Sequence, residues 1–270
     1  MELLRNLSEQ IDTQFSLHFP IKSYITGVAR FLVVISFIED SSRIVLQWSE
    51  QLHYLRNQRG LSSTVGQIFL GLNVLTMLAG SFLVITKRHT KIAVGGLFAA
   101  VISQIIGYGL FLEFQFFLRN ISILGGLLML LAEGLNKPKS TFPGLLAPYH
   151  FDPSRYFQLS GRILLIILFL YLVFPQQITP VSLTFSAMGI ISSFMIVVGF
   201  KVKFSAVLLV LFLTAFNVVM NNWWSVHHNH PARDYLRYDF FQVLSIVGGL
   251  ILLINLGPGT LSVDEKKKNF

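Results

Sequence analysis

Three ionisable residues, Glu39, Asp40 and Arg43, stand inside a run that is otherwise apolar from Ile25 to Trp48. A charge held in hydrocarbon is costly and is found facing a bundle interior or a wet cavity. On a helix Glu39 and Arg43 form an i,i+4 pair and Asp40 and Arg43 an i,i+3 pair, so one arginine neutralises one of two carboxylates. The remaining acid needs another partner. Arg30 lies too far down the same helix, which leaves Arg119 in the fourth apolar run; Arg30, Arg43 and Arg119 are read as the cations of an intramembrane charge network. Glu113 and the pair Asp234 and Asp239 fall near corresponding connections in the two halves of the chain, where they would put negative charge around a mouth. The alternative for these three is ordinary solvated loop charge.

Other constellations carry less chemistry. His227-His228-Asn229-His230 has only His53 to join it on the same side, fewer clustered imidazoles than a metal-dependent membrane enzyme needs, so no metal is assigned. A protonation-sensitive loop is the other use of those histidines. There is no cysteine, which excludes thiol catalysis and disulfides. With no nucleophile, metal box or cofactor motif, no catalytic activity and no cofactor are expected. Trp223-Trp224 ends an apolar run, as an interfacial belt does, and an aromatic wall to a binding site is the second reading. Gln67, Asn73, Gln104 and Asn217 sit within apolar runs and call for interhelical hydrogen bonds or for a pocket to line.

The elements that position these residues are membrane spans. The chain is 53% hydrophobic and 13% charged over 270 residues, whereas a soluble domain carries about 25% charged residues. With about 20 residues needed per crossing, spans are read at Ile25–Trp48, Val65–Thr86, Ile92–Leu112, Phe114–Glu133, Tyr156–Phe174, Val181–Phe200, Phe204–Trp223 and Phe240–Leu256. The fifth is short and relies on Arg162 snorkelling to the interface. The run Ser122–Leu127 recurs as Ser245–Leu250, Lys87 and Lys201 both follow a second span, and Arg30 and Arg162 both lie early in a first one. The expected fold is therefore an all-α polytopic membrane protein of about eight transmembrane helices in two parallel four-helix repeats, with the Gly125-Gly126 and Gly248-Gly249 pairs allowing close helix approach. In domain terms, 1–23 is an amphipathic N-terminal segment, 24–135 the first repeat, 136–155 a proline-rich linker, 156–257 the second repeat and 258–270 a tail.

Charge orients the bundle. With both termini in the cytosol that side holds fourteen basic residues, among them Lys87, Arg88, Lys91, Lys201, Lys203 and Lys266–Lys268, against Arg56, Arg59, Arg233 and Arg237 opposite. The net charge of +8 thus reports loop bias, and no nucleic-acid partner is expected. The same orientation leaves Lys267 and Lys268, four and three positions from the C-terminus, in the cytosol. That spacing is the dilysine address by which coats return membrane proteins to the endoplasmic reticulum, a signal read by receptors.

The runs Ala29–Asp40, Leu118-Arg119-Asn120 leading into Gly125–Leu128, and Asp264–Lys268 resemble the surfeit locus protein 4 family, and the similarity runs the length of the chain. The resemblance implies a cargo receptor that binds soluble secretory proteins in the lumen, enters COPII vesicles and returns by COPI, cycling between the endoplasmic reticulum, the intermediate compartment and the Golgi. Related bacterial DoxX-like four-span proteins share the architecture. Family cargo motifs are short and apolar, often at the mature N-terminus, which implies a lumen-open apolar cavity. Glu39 or Asp40 would then receive the cargo ammonium, with Tyr108 along the wall and Glu113, Trp223, Trp224, Asp234 and Asp239 around the mouth. A small-molecule or lipid transporter is the alternative reading. A homo-oligomer is left open.

Overall fold

The computed structural model describes residues 19–109, 114–135, 153–173, 180–227, 230, 232–257, 259, 262 and 264, with the backbone alone at 19–23, 114–116, 119, 168–173, 180–186 and 188. Their regular secondary structure is helical: α1 Phe19–Leu46, α2 Trp48–Arg59, α3 Ser63–Ile85, α4 Thr90–Tyr108, α5 Phe114–Leu135, α6 Pro153–Val173, α7 Pro180–Val198, α8 Val202–Met220 and α9 Ala232–Leu256, with a 3-10 turn at Trp223–Ser225. Among the described residues four helical stretches are long and apolar enough to cross a membrane by length and composition, namely Ser63–Ile85, Thr90–Tyr108, Val202–Ser225 and Ala232–Leu256.

Local chemistry sets the boundaries. Gly60, at φ +67°, ends α2 with its N–H on the Leu55 carbonyl, and Ser62 starts α3 by accepting the Val65 N–H at 3.4 Å. Pro153 opens α6 at the helix position where a missing N–H costs nothing. Two boundaries differ from the sequence reading. The stretch 48–64 is not simply an exposed connection: α2 occupies most of it, with Leu55 fully buried and Leu52 packed on the core. The last helix starts at Ala232 rather than Phe240, so Arg233, Asp234, Arg237 and Asp239 stand on helical turns instead of in a loop.

The helices close into a ring. α1 packs on α3, α3 on α4, α4 on α5 and α5 on α6; α6 packs on α7, α7 on α8, α8 on α9 and α9 back on α1, while α5 and α9 meet across the middle. Glycine makes the closest approaches possible. A Cβ on Gly248 would lie 2.7 Å from the Val33 nitrogen of α1, and one on Gly125 would lie 2.8 Å from the Leu165 nitrogen of α6. Beside these contacts Ser245 Oγ donates to the Val33 carbonyl at 2.7 Å and Ser122 Oγ to the Leu165 carbonyl at 3.3 Å. The interior holds Val33, Leu127, Leu130, Leu250 and Leu253, all fully buried, whereas Leu75, Phe82 and Phe194 on the outer faces are about two-thirds exposed. Large apolar side chains spread over the outside and buried ones within are what hydrocarbon solvent asks of a bundle.

Candidate functional site

The two ends of the ring differ in charge chemistry. At the end where α1 finishes, Arg43 Nη2 donates to Asp40 Oδ1 at 2.6 Å and Arg43 Nε lies 3.9 Å from Glu39 Oε2. Glu39, 5% exposed, finds its second cation in Arg237 of α9, whose Nε is 3.3 Å from Oε1. The sequence reading assigned this surplus acid to Arg119, of which only the backbone is described. Arg237 was overlooked because the last span was started at its apolar run, which left the arginine in a loop. Arg43 also lies over the Tyr238 ring at 5.1 Å, and Arg237 and Arg233 lie over Trp223 at 5.7 and 5.4 Å. Trp224 packs edge-on against Trp223 and Phe240.

In front of these pairs is a cavity of about 400 Å³. Asp40, Arg43 and Ile44 of α1 form one side, with Gln47 of the α1–α2 turn and Gln51 of α2 next to them. Gln104 and Tyr108 of α4 and Asn120 of α5 line the opposite side, and Asp234, Tyr235 and Tyr238 of α9 close it. Three tyrosines, four side-chain amides, two carboxylates and one guanidinium make a lining that offers hydrogen bonds and aromatic faces together. The two carboxylates differ. Asp40 is held by Arg43, whereas Asp234 is exposed and accepts a 3.0 Å bond from the neutral Gln47 amide. Tyr108 is fixed by Tyr54 and Phe69, each with ring centroids 6.0 Å away, and its hydroxyl is buried without a hydrogen-bond partner among the described residues. A buried donor of that kind is normally satisfied, so it is available to whatever enters. A groove of about 450 Å³ beside it is lined by α2 residues only, Ser49 to Gln58, and is a helix surface rather than an enclosed site.

Of the residues singled out from the sequence, Asp40, Tyr108 and Asp234 therefore meet in one cavity, with Glu39 behind it. Trp223, Trp224 and Asp239 lie near that end but outside the lining. Glu113, Lys267 and Lys268 lie outside the described residues. Arg30 is separate: at the other end of the ring it donates to the Val84 carbonyl at 3.1 Å and pairs with Glu133 of α5. Asn73 and Asn217 make the interhelical bonds expected of them, accepting from Ser103 at 2.7 Å and donating to the Phe240 carbonyl at 3.0 Å. No group of three or more metal-ligating side chains occurs among the described residues. Gln104 takes the second of the two uses read for it, a pocket to line, whereas Asn120, Tyr235 and Tyr238 escaped the sequence reading as cavity residues, since nothing in a sequence separates a pocket side chain from a structural one.

Arg162, expected to snorkel, is instead 1% exposed. It lies next to Gly199 and within electrostatic range of Asp264, which comes from beyond the last helix. A carboxylate can reach it there, so the guanidinium has no need of water.

A family model described as the SURF4 family matches residues 4–270. The chain is 41% identical over 252 residues to the Surfeit locus protein 4 homolog of Schizosaccharomyces pombe, covering 92% of this chain and 83% of that one. It is 40% identical over 253 residues to the ER-derived vesicles protein ERV29 of Saccharomyces cerevisiae, covering 93% and 79%. Against the Surfeit locus protein 4 homolog of Drosophila melanogaster it is 37% identical over 249 residues, 92% of each. No solved structure matches the chain.

Proposed function

From the SURF4 family, to which this chain belongs, we infer a membrane cargo receptor that loads soluble secretory proteins into vesicles leaving the endoplasmic reticulum. Kinship with a protein named for such vesicles supports this class directly. In detail, we read eight spans in two parallel four-helix halves, with the Lys87 and Lys201 end in the cytosol and the cavity in the lumen. COPII carries the receptor forward, and COPI returns it through Lys267 and Lys268. Two features support the parallel halves: α5 meets α6 as α9 meets α1, and Ser122 and Ser245 make equivalent bonds. Topology is checked with N-glycosylation acceptors on spacers long enough to clear the bilayer. Acceptors placed after Gly60 and after Val226 should be modified, and one in 136–152 should not; a glycan on 136–152 reverses the orientation.

The observation that carries the binding site is the unequal state of the cavity's acids. Glu39 and Asp40 are engaged by Arg237 and Arg43, so those four groups balance. Asp234 adds one negative charge with a neutral partner. A cargo N-terminus brings one positive charge followed by apolar side chains: the ammonium belongs at Asp234, and the side chains belong against Tyr108, Tyr235 and Tyr238. An exposed ion pair contributes roughly 0–1 kcal/mol and one shielded from water more, so about tenfold in affinity is expected from this contact. In detergent, a peptide with a free apolar N-terminus should bind about tenfold tighter than its N-acetylated form. Asp234→Asn should abolish that difference while leaving the acetylated peptide's affinity unchanged. If acetylation costs as much in Asp234→Asn as in the wild type, the ammonium does not sit at Asp234. Binding to neither form, with solute flux into liposomes, would favour a transporter.

A further inference from the structure

At the end of the ring opposite the cavity, the described residues beyond α9, Gly257, Gly259, Ser262 and Asp264, are built into the second half. Gln158 Nε2 of α6 donates to the Gly257 carbonyl at 2.6 Å, and Gly259 packs against the same side chain. Ser262 is fully buried, with its Oγ on the Gly259 carbonyl at 2.6 Å, and lies against Gly199. Asp264 then caps α8: Oδ1 accepts the Lys201 N–H at 2.9 Å, Oδ2 accepts the Val202 N–H at 3.1 Å, and its own N–H donates to the Gly199 carbonyl at 3.0 Å. The buried Arg162 lies in electrostatic range of the same carboxylate.

The first half shows why an acid is needed there. Arg30 occupies the place of Arg162 and bonds the end of α3, and its carboxylate partner is Glu133, supplied from within α5. Glu133 lies eleven residues after Ser122, and eleven residues after Ser245 the second half has Leu256. The second half thus has no acid at the position equivalent to Glu133, and Asp264 arrives from the tail in its stead. We propose that Gln158, Arg162, Gly199 and the first turn of α8 form a carboxylate-binding groove whose occupant is the chain's own tail, and that docking there withholds the terminal lysines from a coat. The inference rests on the reading of Lys267 and Lys268 as a retrieval signal.

The reach of the chain makes the two states exclusive. Lys267 is three residue steps beyond Asp264, and an extended chain spans at most about 3.6 Å per step, or about 11 Å in all. On the reading of α8 as a span, its capped first turn stands at the hydrocarbon edge, where the headgroup layer takes up about 5–8 Å of that reach and leaves the backbone of a tail tied at Asp264 only a few ångström beyond it. A coat that grips the last residues must draw Asp264 out of its groove. Docking therefore competes with reading. A tail docked nine-tenths of the time lowers apparent affinity about tenfold.

The test uses full-length protein in detergent, purified COPI coatomer and a synthetic peptide of residues 262–270. The free peptide should bind coatomer about tenfold tighter than wild-type protein. A variant with twelve Gly/Ser residues inserted between Glu265 and Lys266 should bind as the peptide does. Asp264→Asn alone leaves Arg162 short of an acid and should lower the melting temperature. Adding Leu256→Glu, which copies the first half, should restore the melting temperature while keeping peptide-like binding. Wild-type protein binding as tightly as the peptide and the linker variant would overturn docking as a restraint while leaving the retrieval signal intact. Failure of the free peptide to bind would overturn the retrieval reading and this inference with it.

Discussion

Gly248→Ala should destabilise the protein by about 3 kcal/mol and sharply cut the yield of monodisperse protein extracted in detergent. Helix propensity alone argues the other way, because alanine is favoured over glycine inside a helix by up to about 1 kcal/mol. The sign of the effect therefore reports packing. The new Cβ would lie 2.7 Å from Leu32 Cβ and from the Val33 nitrogen and 2.8 Å from the Ala29 carbonyl oxygen. Two of those atoms belong to the backbone of α1, so no rotamer change relieves the contact and α9 must move off α1. That displacement also lengthens the Ser245 bond to Val33. Gly95→Ala on α4, where an added Cβ meets nothing within 4 Å, is the control and should be neutral or slightly stabilising. A thermal melt of both variants in one detergent decides the matter; equal melting temperatures would mean that α1 and α9 are not clamped at Gly248.

How far the sequence could be read follows from what hydropathy measures. Apolar runs report contact with hydrocarbon, and that signal places α3 and α8 within three residues and α4 within four. Helical turns that stand in the polar interfacial zone leave no such trace. The first turns of α9 carry Arg233, Asp234, Arg237 and Tyr238, and the whole of α2 is polar apart from Trp48, Leu52, Tyr54 and Leu55. Hydropathy reads both as connections. The cost fell on the site: with Arg237 assigned to a loop, Glu39 lost its partner and was offered to an ammonium instead. What remained legible did so through energetics, since an acid within an apolar run must be paired or must serve a cavity, and Asp40 was found that way; Asp234 was found as an acid beside a connection that corresponds between the two halves. Tyr108 was named along the wall of the cavity that the family resemblance implied. The docked tail was invisible for a different reason. Asp264 meets Lys201 and Val202 from more than sixty residues away along the chain, a contact that no local spacing encodes.

Glu133→Leu should cost about 3–5 kcal/mol, because it strands the Arg30 guanidinium, 3% exposed, among apolar neighbours with the Val84 carbonyl as its described hydrogen-bond partner. The loss comes from the stranded charge rather than from the worth of the pair. Arg30→Met combined with Glu133→Leu removes both charges and should recover most of the stability. Recovery stops short of complete because the double variant also removes the Arg30 bond to the Val84 carbonyl, which is left with the Lys87 N–H at 3.2 Å. A double-mutant cycle read by thermal melts then gives a coupling of at least about 2 kcal/mol. Asp40→Asn is the internal comparison: its partner Arg43 is 29% exposed, water can replace the carboxylate, and the expected loss is about 1 kcal/mol or less. A Glu133→Leu cost as small as that of Asp40→Asn would mean that water reaches Arg30. In that case the end of the first half is open rather than sealed, and Asp264 would have no comparable reason to seal Arg162 in the second.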